Sequence, residues 1–87
     1  MPSREFTITN KLGIHARPAA QFVKIASNYT CDIQVEKDEE AADGKSIMGL
    51  MMLAAGHGST LKVTTSGDGE EDALNALGEL IISNFEA

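Results

Sequence analysis

Arg4-Glu5-Phe6-Thr7-Ile8-Thr9, Asn10-Lys11-Leu12-Gly13-Ile14-His15 and Ala16-Arg17-Pro18-Ala19-Ala20-Gln21-Phe22-Val23-Lys24-Ile25-Ala26 follow one another, and the spacing of their apolar residues changes from two to three and four. In the first segment Phe6 and Ile8 alternate with polar residues, which predicts a strand from Arg4 to Thr9 with one wet face. Asn10-Lys11-Leu12-Gly13 breaks the alternation. Pro18 is tolerated in a first helical turn, where its missing N–H would have had no partner. With Ala19, Phe22, Val23 and Ala26 at helical spacing behind it, the first helix is expected to begin within a residue or two of Ala16.

The same reading extends to the rest of the chain. Cys31, Ile33 and Val35 alternate with Asp32, Gln34 and Glu36, and Leu61, Val63 and Thr65 with Lys62, Thr64 and Ser66, giving two more half-buried strands. Lys37-Asp38-Glu39-Glu40 suits a turn into a short edge strand over Glu40 to Asp43, although Ala41 and Ala42 are poor strand formers. Ser46 can cap a second, short helix carrying Ile47, Leu50, Met51 and Ala54 before Gly56-His57-Gly58 stops it. Gly67-Asp68-Gly69 turns the chain again. Acids at 70–72 favour a helix start, and Ala73, Leu74, Leu77, Leu80 and Ile81 form the stripe of a third helix. Three helices that share an apolar surface would cover one face of a mainly antiparallel sheet, so the expected architecture is a two-layer α/β sandwich open on one side.

The chain has 87 residues, length for one small domain with one core. Seven basic residues against thirteen acids leave a net charge of −6, which argues against a nucleic-acid binder with a broad basic face. The division is uneven: residues 1–35 sum to +2 and 36–87 to −8. Cys31 is the single cysteine, so neither an internal disulfide, a paired Cys/His zinc motif nor a CxxC pair can form. The opening residues lack a charged-then-apolar signal layout, and the run Ile47 to Ala55 is too short to span a bilayer. A cytoplasmic protein is the expectation, and the Asn28-Tyr29-Thr30 sequon carries no weight without a secretory route.

The chemistry concentrates at Gly13-Ile14-His15-Ala16-Arg17-Pro18. An imidazole here stands at the mouth of a helix N-terminus, whose first-turn N–H groups lack acceptors and carry partial positive charge, with a guanidinium two residues on. An anion bound to or made on His15 would be stabilised there. The neutral ring has a lone pair that can attack phosphorus. Phosphoryl transfer has a loose transition state with charge on peripheral oxygens, so positioning and cationic donors suffice without a general base. A polar capping His15 and a solvated Arg17 fit the same spacing.

Other candidates carry less. Asp43-Gly44-Lys45-Ser46 looks like the end of a phosphate-binding loop, but that motif needs glycine where this chain has Glu39. Met48, Met51 and Met52 exceed what one buried helix face requires; either the core takes them all or they form an adaptable docking patch. His57 has no second ligand at metal spacing, Cys31 reads as a small buried hydrophobe, and the acidic runs at 36–43 and 68–72 read as a solvated turn and a helix start.

Two stretches, Leu12-Gly13-Ile14-His15-Ala16-Arg17-Pro18-Ala19-Ala20 and Gly44-Lys45-Ser46-Ile47-Met48-Gly49-Leu50-Met51, resemble the HPr family, phosphocarriers of the bacterial phosphoenolpyruvate-dependent phosphotransferase system. The resemblance covers essentially the whole chain. It implies a single domain over residues 1–87, an open-faced β-sandwich of order βαββαβα with a four-stranded, mainly antiparallel sheet and three helices on one face. It implies a carrier rather than an independent enzyme: His15 accepts a phosphoryl group on Nδ1 from phosphorylated enzyme I and passes it to a histidine of a IIA domain. Arg17 would compensate the charge, with Ala16 and Pro18 shaping the helix start. Ser46 matches a position modified in many members by a dedicated kinase/phosphorylase, and Met48, Leu50, Met51 and Lys24 would lie at the docking surface. A monomer in the cytoplasm is expected, without cofactor, metal, nucleic acid or membrane insertion.

The chain departs from many relatives at Lys37-Asp38-Glu39-Glu40-Ala41-Ala42-Asp43, which also makes the approach to Ser46 acidic. Met51-Met52-Leu53-Ala54-Ala55-Gly56 looks more like regulatory or nitrogen-branch carriers than sugar-dedicated ones. Two rival readings are a regulatory binding domain governed by Ser46 and, last, a small-ligand sensor, for which so short a chain has little room to enclose a pocket.

Overall fold

The computed structural model describes residues 2–9, 11, 13–53 and 55–85; Asn10 and Leu12 of the first loop and Ala54 of the expected helical stripe lie outside the described residues. The elements are β1 (Ser3–Thr7), α1 (Ala16–Ala26), β2 (Asp32–Lys37), β3 (Glu40–Asp43), α2 (Ile47–Met52), β4 (Thr60–Ser66) and α3 (Glu70–Ile82). The four strands form one sheet in the order β1-β4-β2-β3, and every pairing is antiparallel.

β1 is shorter than the alternation from Arg4 to Thr9 predicts, because its ladder with β4 runs out where Thr7 meets Thr60. The period-2 logic still holds beyond that point. Ile8 is buried, its N–H donates to the Ser59 carbonyl at 2.8 Å and its carbonyl accepts from the Gly58 N–H at 2.7 Å. At the sheet centre Val35 lies opposite Val63 and Ile33 opposite Thr65. Thr65 is fully buried, and its hydroxyl donates to the Glu70 carbonyl at 2.8 Å, so its polar atom is satisfied where α3 begins.

β2 and β3 form a hairpin in which Lys37 pairs with Glu40, leaving Asp38 and Glu39 as the loop. Asp38 takes φ 57, a left-handed conformation that Asp tolerates better than most residues because its short side chain bonds locally. Pairing with β2 overrides the low strand propensity of Ala41 and Ala42, and the edge strand forms over the expected residues.

The helices pack on one sheet face, α3 over β1 and β4, α2 against β3, and α1 beside both other helices. Phe22, Ala19 and Ala26 of α1 and Ala73, Leu74, Leu77, Leu80 and Ile81 of α3 are buried, as their spacing predicts. Each large side chain taken from water contributes about 1.5–3 kcal/mol. Gly78 lets α3 close on β1: a Cβ there would stand 2.9 Å from the Phe6 ring. Cys31 is buried, as expected for a small hydrophobe.

On α2 the expected stripe is corrected. Leu50 and Leu53 are buried, whereas Ile47 and Met51, placed on the inner face by spacing, are 42% and 43% exposed. Six residues make less than two turns, so the helix docks through one side chain and its exit rather than through a full stripe. No helix among the described residues is long and apolar enough to cross a membrane.

Candidate functional site

His15 is the N-cap of α1, with extended backbone (φ −118), and its side chain makes no cap hydrogen bond. The alternative of a capping histidine therefore does not describe the geometry. The first intrahelical bond is donated by Ala19 N–H to the His15 carbonyl at 2.9 Å. Upstream of it the N–H groups of Ala16 and Arg17 have no acceptor within the helix, and Pro18 has no N–H. His15, Ala16 and Arg17 are exposed and Pro18 is buried, so the proline anchors the turn while the polar groups face solvent.

The loop leading to His15 is fixed from behind. Ile14 donates its N–H to the Ala55 carbonyl at 2.8 Å, and its half-buried side chain packs on the core. Gly13 takes φ 69 and lies so close to this neighbouring segment that a Cβ would overlap the Ala55 carbonyl and Gly56. Both the left-handed angle and the close approach require glycine. An exposed imidazole thus stands on a rigid base at a positive helix end, with a guanidinium on the same first turn. That arrangement can stabilise a phosphoryl group carried by the ring.

Lys24 lies exposed in the last turn of α1, which has no acidic residue in its first turn and none elsewhere along its length. α2, packed beside it, starts at Ser46, whose Oγ accepts from the Gly49 N–H at 3.0 Å; the expected N-cap is present. The turn before it is pinned twice: Lys45 N–H donates to Asp43 Oδ1 at 2.9 Å and Lys45 Nζ to the Tyr29 carbonyl at 2.8 Å. Met48 is 73% and Met52 75% exposed and, with Ile47 and Met51, they form an apolar surface that the core does not absorb. Leu50, expected at the docking surface, is only 4% exposed and supports this patch from beneath. Ile47 belongs to the patch instead, which spacing alone could not reveal because it fits either side of so short a helix.

His57 is exposed in its glycine-flanked loop. Among the described residues no group of three His, Cys, Asp or Glu side chains could hold a metal ion.

The family model described as PTS HPr component phosphorylation site matches residues 2–83. The chain belongs to the HPr family, the phosphocarriers of the phosphotransferase system. It is 54% identical over 87 residues to the phosphocarrier protein HPr of Pseudomonas aeruginosa, covering 99% of this chain and 97% of that protein. It is also 46% identical over 77 residues to the HPr-like protein Crh of Halalkalibacterium halodurans, covering 88% of this chain and 92% of the relative. The crystal structure of HPr-C-His from Thermoanaerobacter tengcongensis superposes with a TM-score of 0.95 at 46% identity, covering 100% of this chain and 98% of that one. The HPr fold and its order of elements are therefore shared, and the open-faced sandwich expected from sequence is the observed architecture.

Proposed function

We propose that this member of the HPr family, a single domain over residues 1–87, carries its phosphoryl group on His15, accepting it from phosphorylated enzyme I and donating it to a histidine of a IIA domain. The observation that carries the reading is the uncapped, exposed imidazole at the start of α1 beside Arg17. In the loading step the lone pair on His15 Nδ1 forms a bond to phosphorus while the phosphorus–nitrogen bond to the donor histidine breaks; donation reverses these roles toward the acceptor. The amides of Ala16 and Arg17 and the Arg17 guanidinium compensate the phosphoryl charge, and Pro18 holds the turn in place. The protein is a carrier, altered and restored in each cycle, rather than an independent enzyme.

Met48 and Met51, with Ile47 and Met52, form the docking surface, and Arg17 and Lys24 steer acidic partner surfaces to it. An exposed apolar patch of flexible side chains suits transient complexes with more than one partner. Ser46 is the regulatory candidate for a kinase/phosphorylase: a dianionic phosphate there would place charge at the head of the docking helix. The protein acts as a monomer in the cytoplasm.

The experiment is intact-mass spectrometry after incubation with phosphoenolpyruvate and catalytic cognate enzyme I, for the wild type and for His15→Ala. One acid-labile, base-stable phosphoryl that is absent from the variant supports the reading. No adduct with an enzyme I of proven activity moves the function to a Ser46-governed binding domain.

A further inference from the structure

The apolar patch on α2 has flanks of opposite sign. On one side α2 packs against α1, whose exposed side chains include Arg17 and Lys24 and no acid. On the other it packs against β3, an edge strand of the sheet, where a Cβ on Gly49 would stand 3.4 Å from the Ala42 Cβ. Ala42 pairs with Val35 and Glu40 with Lys37, so Glu40 stands on the same sheet face as Ala42, the face that carries α2. Glu39 and Asp38 follow at the exposed hairpin tip. On this flank Glu40 and the tip acids Glu39 and Asp38 stand against Lys37, whereas Glu36 and Asp43, one residue out of phase with Val35 and Ala42, lie on the opposite sheet face. That lysine is already paired with Asp38 at 3.8 Å, and the nearby Lys45 is turned to the Tyr29 carbonyl. α2 itself carries no charge.

The geometry points to a dipolar docking surface, cationic along α1, apolar along α2 and anionic along the β2–β3 hairpin, that fits a phosphoryl donor whose apolar cleft has a basic rim on the hairpin side. The inference rests on the docking role given to α2 above and adds an orientation to it. A uniformly acidic partner would be attracted at Arg17 and repelled at Glu39 and Glu40, so it would approach rotated away from the geometry that presents His15. A partner with charge of both signs is steered into one register, and wrong registers are penalised. The occupant is the donor, because the donor meets the carrier while its α1 end is still cationic, whereas a phosphoryl group on His15 would cancel that end of the dipole before the acceptor is met.

The test is Glu39→Lys combined with Glu40→Gln. Glu40 is neutralised rather than reversed because a lysine there would face Lys37 across the hairpin. Phosphoryl transfer from phosphorylated cognate enzyme I is measured at about 0.01 M and about 1 M salt, where the screening length falls from about 30 Å to about 3 Å. The expected result is a roughly fivefold fall in kcat/KM at low salt, carried by KM, that disappears at high salt. Unchanged or faster transfer at low salt overturns the proposal. Loss confined to the IIA acceptor overturns its assignment to the donor. Circular dichroism checks folding, and Glu39→Gln alone, at an exposed turn, is expected to give about a twofold fall as an independent arm. A wild type that takes no phosphoryl group, or a Met48→Asp variant that transfers normally, fails the docking reading itself and is seen separately.

Discussion

The helices α1 and α2 pack together and yet begin in opposite ways. α1 opens at His15 without a side-chain cap, leaving the amides of Ala16 and Arg17 without helix acceptors, whereas α2 opens at Ser46 with its hydroxyl closed onto the Gly49 N–H. An open start is a chemical site, because unfilled donors at the positive end of a helix can receive an anion. A closed start is a structural device, so any chemistry at Ser46 competes with the cap it already makes.

The comparison breaks most completely at the open start. His15→Ala should abolish phosphoryl uptake while leaving the fold intact, since the ring is exposed and makes no cap bond; intact mass and a melting curve check both halves of that statement. Gly13→Ala should cost about 1–3 kcal/mol, because it adds a Cβ at φ 69 against the Ala55 carbonyl and Gly56. Denaturant titration reads the loss, and a variant as stable as the wild type would mean that the loop behind His15 is not held as described.

Smaller effects sharpen the contrast at the second helix. Met48→Asp should weaken transfer from enzyme I about tenfold through KM, with little change in melting temperature because the side chain is 73% exposed. Ser46→Ala should lower stability by about 1 kcal/mol, or roughly 4–8 °C in a domain of this size, with transfer nearly unchanged. Ser46→Asp keeps a capping oxygen and should hold the melting temperature while slowing transfer; unchanged transfer would remove the case for control at this residue.

The open start was legible in the sequence, and the packing around the second helix was not. Pro18, the alternation ending at Thr9 and the glycine at 13 place a helix N-terminus next to His15 without any tertiary information. The stripe of α3 was equally plain, since Ala73, Leu74, Leu77, Leu80 and Ile81 repeat over enough turns to define one face, and all of them are buried. α2 runs only from Ile47 to Met52, and nearly every residue in it is apolar, so periodicity could not separate Leu50 inside from Ile47 outside. The edge strand at Glu40–Asp43 was placed by the turn before it, against the propensity of its two alanines; its pairing with β2 supplies what local preference does not. The sequence also holds the residues of the acidic hairpin, but not their position beside α2, which depends on how the turn at Gly44–Lys45 folds the helix back onto β3.

The most direct test of the central claim is an amide NMR spectrum of the protein before and after phosphorylation by enzyme I. The account predicts that the largest shifts fall on the N–H groups of Ala16 and Arg17, with the His15 ring phosphorylated at Nδ1 and the Ser46–Gly49 cap unmoved. Large shifts at the Ser46 cap with Ala16 and Arg17 unchanged would contradict it, because the phosphoryl group would then sit away from the open helix start.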